Sequence, residues 1–182
     1  MNRTNRVFPF LLALVLSLIG APSFGATQVT ATATRADSRV HVEYVNPQSF
    51  SENRFNGQEN RYNDFHYLEP LKEYIVKRAT PLLGAGQSLY ITITDISLAG
   101  SYQPSSGPRM RYMRIMSDQY PPRIDLSFKW VDRDGKVLGE GSRKLRGLGY
   151  LSSGLTRPGD TDSLRYDKAL LRQWLGRSLD RL

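Results

Sequence analysis

Residues 121–141, PPRIDLSFKWVDRDGKVLGEG, constrain the fold more than any other stretch because they read as a complete β-hairpin. Ile124, Leu126, Phe128 and Trp130 alternate with Asp125, Ser127, Lys129 and Val131, which gives a strand one apolar face. Residues 132–136 then make a turn, with the Asp134-Gly135 pair supplying the positive-φ positions of a tight connection, and Val137 opens the return strand. Burying four such side chains is worth about 1.5–3 kcal/mol each, against a whole-domain stability of about 5–15 kcal/mol. A hairpin with that face must be covered, and the remaining sequence offers two helices to cover it.

Residues 40–45, VHVEYV, alternate Val40, Val42 and Tyr44 against His41 and Glu43 and predict a first strand with His41 on its polar side. Asn46-Pro47 ends it, and residues 48–63 read as a polar loop carrying Phe50, Phe55 and Tyr62. Leu68, Leu71, Ile75, Ala79 and Leu82 follow helical spacing, with Pro70 suited to the first turn and Pro81 to the last. After Gly84-Ala85-Gly86, Leu89, Ile91 and Ile93 alternate with Tyr90, Thr92 and Thr94 in a strand running toward Gly100. Residues 101–119 are a long connection and residues 147–160 a loop rich in Gly and Ser. A terminal helix follows, with N-cap candidates from Asp160 to Ser163 and an apolar face of Leu164, Leu171, Trp174, Leu175 and Leu182. The order predicts an α+β fold: a single domain with a largely antiparallel sheet of about four strands and both helices on one face.

The N-terminus has the layout of a secretory leader. Arg3 and Arg6 precede an apolar run over residues 7–19, and Ser23 and Gly25 are the small residues for cleavage after Gly25. Residues 1–25 are therefore expected to be removed, leaving 26–182 as the mature domain with no transmembrane segment. Losing Arg3 and Arg6 lowers the net charge of +8 by two and leaves the protein basic. The absence of Cys excludes disulfides, thiolate metal sites, a Cys nucleophile and the lipid-modified Cys of a lipoprotein. With only His41 and His66 as imidazoles, no metal site is expected, and no cofactor motif is present.

Several blocks occur in a distinctive order: V-N-P-x-x-F over residues 45–50, L-x-I-T-I-T-D-I-x-L-A-G over 89–100 and Y-P-P-R-I-x-L over 120–126. D-x-D-G-K-V-L-x-E-G over 132–141 and Y-D-K-x-L-L-x-x-W over 166–174 complete the set. Together they resemble the bacterial secreted family catalogued as domain of unknown function 3016. The resemblance implies a periplasmic single-domain protein and brings no catalytic residues.

The strongest binding candidate is the stretch containing Arg109, Arg111, Tyr112 and Arg114, interleaved with Met110, Met113, Ile115 and Met116. Guanidinium groups grip phosphate and carboxylate in a fork, and Met and Tyr side chains lie readily on an apolar surface beside them. The competing reading is a strand extension with Arg outward and Met or Ile inward. No catalytic residue is assigned: Ser152 and Ser153 lack a nucleophile elbow, Asp160 and Asp162 suit a helix N-terminus, and Asp132-Arg133-Asp134-Gly135 is a turn lacking the ligands of a calcium loop. The sequence thus favours a non-enzymatic module binding an anionic envelope lipid, a glycan or a periplasmic protein. An envelope enzyme with a site in loops 48–63 and 147–160 is the alternative, and the exported compartment argues against nucleic acid.

Overall fold

The hairpin forms as the alternation requires. In the computed structural model, β5 (Arg123–Val131) and β6 (Val137–Arg146) pair antiparallel around the turn at residues 132–136. The structure describes residues 39–55, 65–102, 114–157 and 159–176, with backbone only at Arg54 and Phe55. The chain divides into two units, Met1–Thr34 and Arg35–Leu182, and every described residue belongs to the second. The expected leader and the expected last turn of the terminal helix, with Arg177, Arg181 and Leu182, lie outside the described residues.

The hairpin turn needs one left-handed residue where the sequence suggested two. Gly135 has φ 81°, whereas Asp134 keeps negative φ. The Asp132 carboxylate instead accepts from the N–H groups of Asp134 and Lys136, each at 2.9 Å, and a bulge at Trp130/Val131 absorbs the extra residue. Large side chains on β5 face small ones on β6, Phe128 opposite Gly141 and Trp130 opposite Gly139, so the two aromatic rings have room over the return strand.

β1 (Val40–Tyr44) runs parallel to β2 (Ser88–Ser97), which pairs antiparallel with β5, giving a four-stranded sheet in the order β1-β2-β5-β6. Two of the three pairings are antiparallel, in line with the predicted α+β domain. α2 (Leu68–Ala79) and α3 (Arg165–Leu175) pack on each other and share one core with the inward residues of the sheet. Leu71, Ile75 and Ala79 of α2 and Leu171 and Trp174 of α3 meet Leu89, Ile91, Ile93, Leu126 and Phe128 there. On the sheet's other face His41, Glu43, Thr94 and Lys129 are exposed among the described residues.

The apolar stripe of α2 departs from the expected register at its end. Leu82 is exposed and Leu83 is buried in its place. The cause is a 3-10 turn over Thr80–Leu82, entered at Pro81, which tightens the chain from 3.6 to about 3 residues per turn and rotates the last apolar position by one. Arg39 closes this turn by donating to the carbonyls of Leu83 at 3.2 Å and Gly84 at 2.7 Å.

Two further segments expected as irregular contain structure. Residues 48–63 begin with a 3-10 turn over Pro47–Ser49 and the short helix α1 (Ser51–Phe55). Within the connection at 101–119, β3 (Ser101–Tyr102) and β4 (Arg114–Ile115) pair antiparallel, a stem that brings the two ends of residues 103–113 together.

Candidate functional site

The functional geometry is concentrated where β2 leaves the sheet. A bulge at Ile93/Asp95 shifts the parity of the strand, so Ile96 enters the core and Asp95 turns to α1. There the Asp95 carboxylate accepts from Ser51 N–H at 2.6 Å and Ser51 Oγ at 2.7 Å, which fixes the start of α1. The next residue of α1, Glu52, is thereby carried inward and is buried.

Three charged side chains converge on the corner at Leu98, Ala99 and Gly100. One Glu52 carboxylate oxygen accepts from Leu98 N–H at 2.7 Å, and the other takes the Arg114 guanidinium. Arg114 also donates to the carbonyls of Leu98 at 3.3 Å and of Ala99 and Gly100 at 3.0 Å, with its cationic head 4.8 Å from the centre of the Tyr102 ring. Asp167, from the first turn of α3, accepts from Ala99 N–H at 3.1 Å. It is only 1 % exposed, and among the described residues its second carboxylate oxygen has no hydrogen-bond partner.

This arrangement decides which group carries a proton. Burial pushes Asp167 up to about 7, against the opposing pull of the Ala99 N–H and Arg114, and the Glu52 charge pushes the same way as burial. Below about pH 7, with Asp167 protonated, the corner holds one carboxylate and one guanidinium in balance. Tyr67 is also held above the ordinary phenol range, by burial and then by Glu52. Its hydroxyl is buried beside the Asn53 side chain, which pulls the other way.

Gly100 makes the close approach possible. It has φ +78°, and a Cβ there would lie 2.6 Å from the Ile115 carbonyl oxygen and 2.9 Å from Met116 Sδ. Gly100→Ala is expected to cost more than about 2 kcal/mol, combining the left-handed penalty with a backbone clash, whereas Gly135→Ala, with nothing within 4 Å of its added methyl, is expected to cost about 1 kcal/mol. Urea unfolding of the two variants side by side checks the difference.

In front of the corner lies a cavity of about 150 Å³ walled by Glu52, Asn53, His66, Tyr67, Tyr102, Arg114 and Ser163, with Leu98, Met116 and Leu164 supplying its apolar part. His66 is exposed at its edge and packs edge-on to Tyr67, while His41 lies elsewhere, stacked at 4.7 Å on Tyr90 of the open sheet face. The cavity therefore gathers one of the two imidazoles together with a carboxylate.

Of the four binding residues predicted from the sequence, Arg109, Arg111 and Tyr112 lie outside the described residues. Arg114 faces inward, and Glu52 and three carbonyls occupy its guanidinium. The strand-extension reading placed Arg outward, and at position 114 that is reversed. The reason is that Glu52 is a buried anion, and a buried anion beside the backbone N–H of Leu98 needs a cation to balance it. Glu52 and Asp167 were not among the predicted site residues. Asp167 had a signal, since it sits on the helical stripe of Leu164, Leu171 and Trp174, where an acid is out of place.

The fold and corner define an α+β domain whose sheet is covered on one face and whose connecting segment is rooted on a buried charged cluster. The chain belongs to the family described as protein of unknown function DUF3016, whose model matches residues 38–177. No curated protein and no solved structure matches the chain. Among the described residues, no helix is long and apolar enough to cross a membrane.

Proposed function

We propose that this chain is a non-enzymatic module of the bacterial periplasm, exported by a leader cleaved after Gly25, that binds an anionic envelope component. Arg109, Arg111 and Tyr112 make the contact, and Arg114 is the anchored end of the same stretch. The observation that carries this reading is the β3–β4 stem, in which Tyr102 pairs with Arg114 and Ser101 with Ile115. The described residues on either side of 103–113 are thus paired with each other at one point of the domain. The sequence of residues 103–113 holds two Arg and no acidic residue. The Arg114 charge is balanced by Glu52, which leaves Arg109 and Arg111 as the cations of the segment for a phosphate or carboxylate partner.

Sedimentation with vesicles of anionic and of neutral phospholipid tests the proposal. Binding to the anionic vesicles is expected to weaken with salt and to fall about thirty-fold in Arg109→Ala/Arg111→Ala, at about 1 kcal/mol per basic residue near such a surface. Arg114 is left intact, because its removal would disturb the corner and confuse a lost ligand with a lost fold. Equal binding by variant and parent would refute the assignment.

One observation favours the second reading, an envelope enzyme acting on lipid or glycan: His66, Tyr67 and Glu52 wall the same cavity. Both Glu52 carboxylate oxygens already accept, one from Arg114 and one from Leu98 N–H, so this carboxylate is engaged in holding the corner. The binding reading therefore stands first.

A further inference from the structure

A second surface, at the far end of the hairpin, has features that the fold does not require. In the β5–β6 register Arg123 lies directly opposite Arg146, both exposed. Like charges in that position repel and destabilise a sheet. Relief is partial: Asp125 takes one edge of the Arg146 guanidinium, while among the described residues Arg123 reaches only Ser97 Oγ, at 3.5 Å. Lys144, also exposed, stands opposite Asp125, so these four strand positions carry three cations and one carboxylate.

Two residues after Arg146 the chain presents the most exposed large apolar side chain among the described residues. Leu148 is 79 % exposed, and Leu151, across the same turn, is 42 % exposed. The turn that carries them is anchored by Tyr150 and by backbone hydrogen bonds. Tyr150, between them, points inward and is buried, with its hydroxyl accepting from Ser117 N–H at 3.0 Å and its ring edge-on to Tyr166 at 4.7 Å. Gly147 N–H donates to the Pro122 carbonyl at 2.9 Å, and Ser152 N–H donates to the Gly149 carbonyl at 3.1 Å, closing the turn. Two outward leucines on an anchored turn beside an incompletely compensated arginine pair have the chemistry of an interfacial contact: apolar groups for the acyl boundary and guanidinium forks for phosphate.

We infer that Arg123, Lys144, Arg146, Leu148 and Leu151 form a docking surface for a bilayer carrying anionic phospholipid, with the arginine pair on headgroup phosphates and the two leucines inserted between them. The charge complementarity of the like-charged pair selects this occupant over an apolar protein face, which would leave the arginines desolvated without a partner. The surface is distinct from the 109–114 stretch, and separate variants test the two.

The test uses Leu148→Trp as a reporter, read against Leu148→Ser to subtract Trp130 and Trp174. With vesicles containing anionic phospholipid, emission from the introduced indole is expected to shift to the blue and to be quenched by brominated acyl chains, and neutral vesicles are expected to leave it unchanged. Arg123→Gln/Arg146→Gln is expected to weaken vesicle binding about thirty-fold. Leu148→Ser/Leu151→Ser is expected to weaken it at least about tenfold, with circular dichroism unchanged because both side chains are exposed. Sedimentation with vesicles but no change in the reporter's emission, or full binding by Arg123→Gln/Arg146→Gln, would overturn this surface and leave the 109–114 proposal standing. Absence of any sedimentation would overturn both.

Discussion

Asp167→Asn is expected to gain about 3 kcal/mol of stability relative to the parent protein between pH 5 and pH 8. An acid whose folded pKa lies above its unfolded value holds, in the native state, a proton that the unfolded chain has already released. Its contribution to stability is therefore greatest at low pH and is lost as pH rises from the ordinary Asp value of 3.8 to about 7. The full span corresponds to about 4 kcal/mol, as an order of magnitude. Above that window the corner holds two carboxylates against one guanidinium in a buried site. Asn keeps the carbonyl oxygen that accepts from Ala99 N–H and cannot ionise. Urea unfolding from pH 5 to pH 8.5 measures the effect as the difference between the two proteins, which cancels the titration of other carboxylates. A constant difference over the whole range would contradict the assignment of Asp167 as the protonated member of the cluster.

Arg114→Ala is expected to cost about 3–5 kcal/mol, a fifth or more of the stability of an ordinary domain. Two losses combine. Glu52 keeps its charge in a buried position without its cation, and the carbonyls of Leu98, Ala99 and Gly100 lose their shared donor. Lys at this position restores the charge but not the planar fork that spans a carboxylate and three carbonyls, so Arg114→Lys is expected to recover only part of the loss. Glu52→Gln in the Arg114→Ala background should then cost little more, since the unpaired charge is gone. Equilibrium unfolding of the single and double variants at pH 7 gives the coupling directly.

The parts of this structure legible in the sequence are those that depend on local periodicity. The alternation in β1, β2 and β5 and the stripes of α2 and α3 reflect which face each residue buries, and a face can be read from neighbours two to four positions away. The site was less accessible, for a physical reason: Glu52 and Arg114 are 62 residues apart and are explained only by each other. Glu52 lies in a five-residue helix too short to show a period, inside a segment whose composition reads as loop. Arg114 belongs to an alternating basic and apolar stretch in which an inward arginine is the opposite of the default expectation. Asp167 was readable in principle, as an acid on an apolar stripe. The two-residue strands β3 and β4 lie below the length at which alternation can be recognised, and it is their pairing that turns a long connection into a rooted segment.

Central to the proposed function is binding of an anionic partner by residues 103–113 from a stem anchored at the charged corner. The most direct measurement is vesicle sedimentation over a salt series, run with urea midpoints on the same preparations of the parent and of Arg109→Ala/Arg111→Ala. The expected result is salt-sensitive binding by the parent, about thirty-fold weaker in the variant, with the two urea midpoints equal because neither substitution alters the Glu52–Arg114 pair. Undiminished binding by the variant, or no salt-sensitive binding by the parent, would contradict the claim.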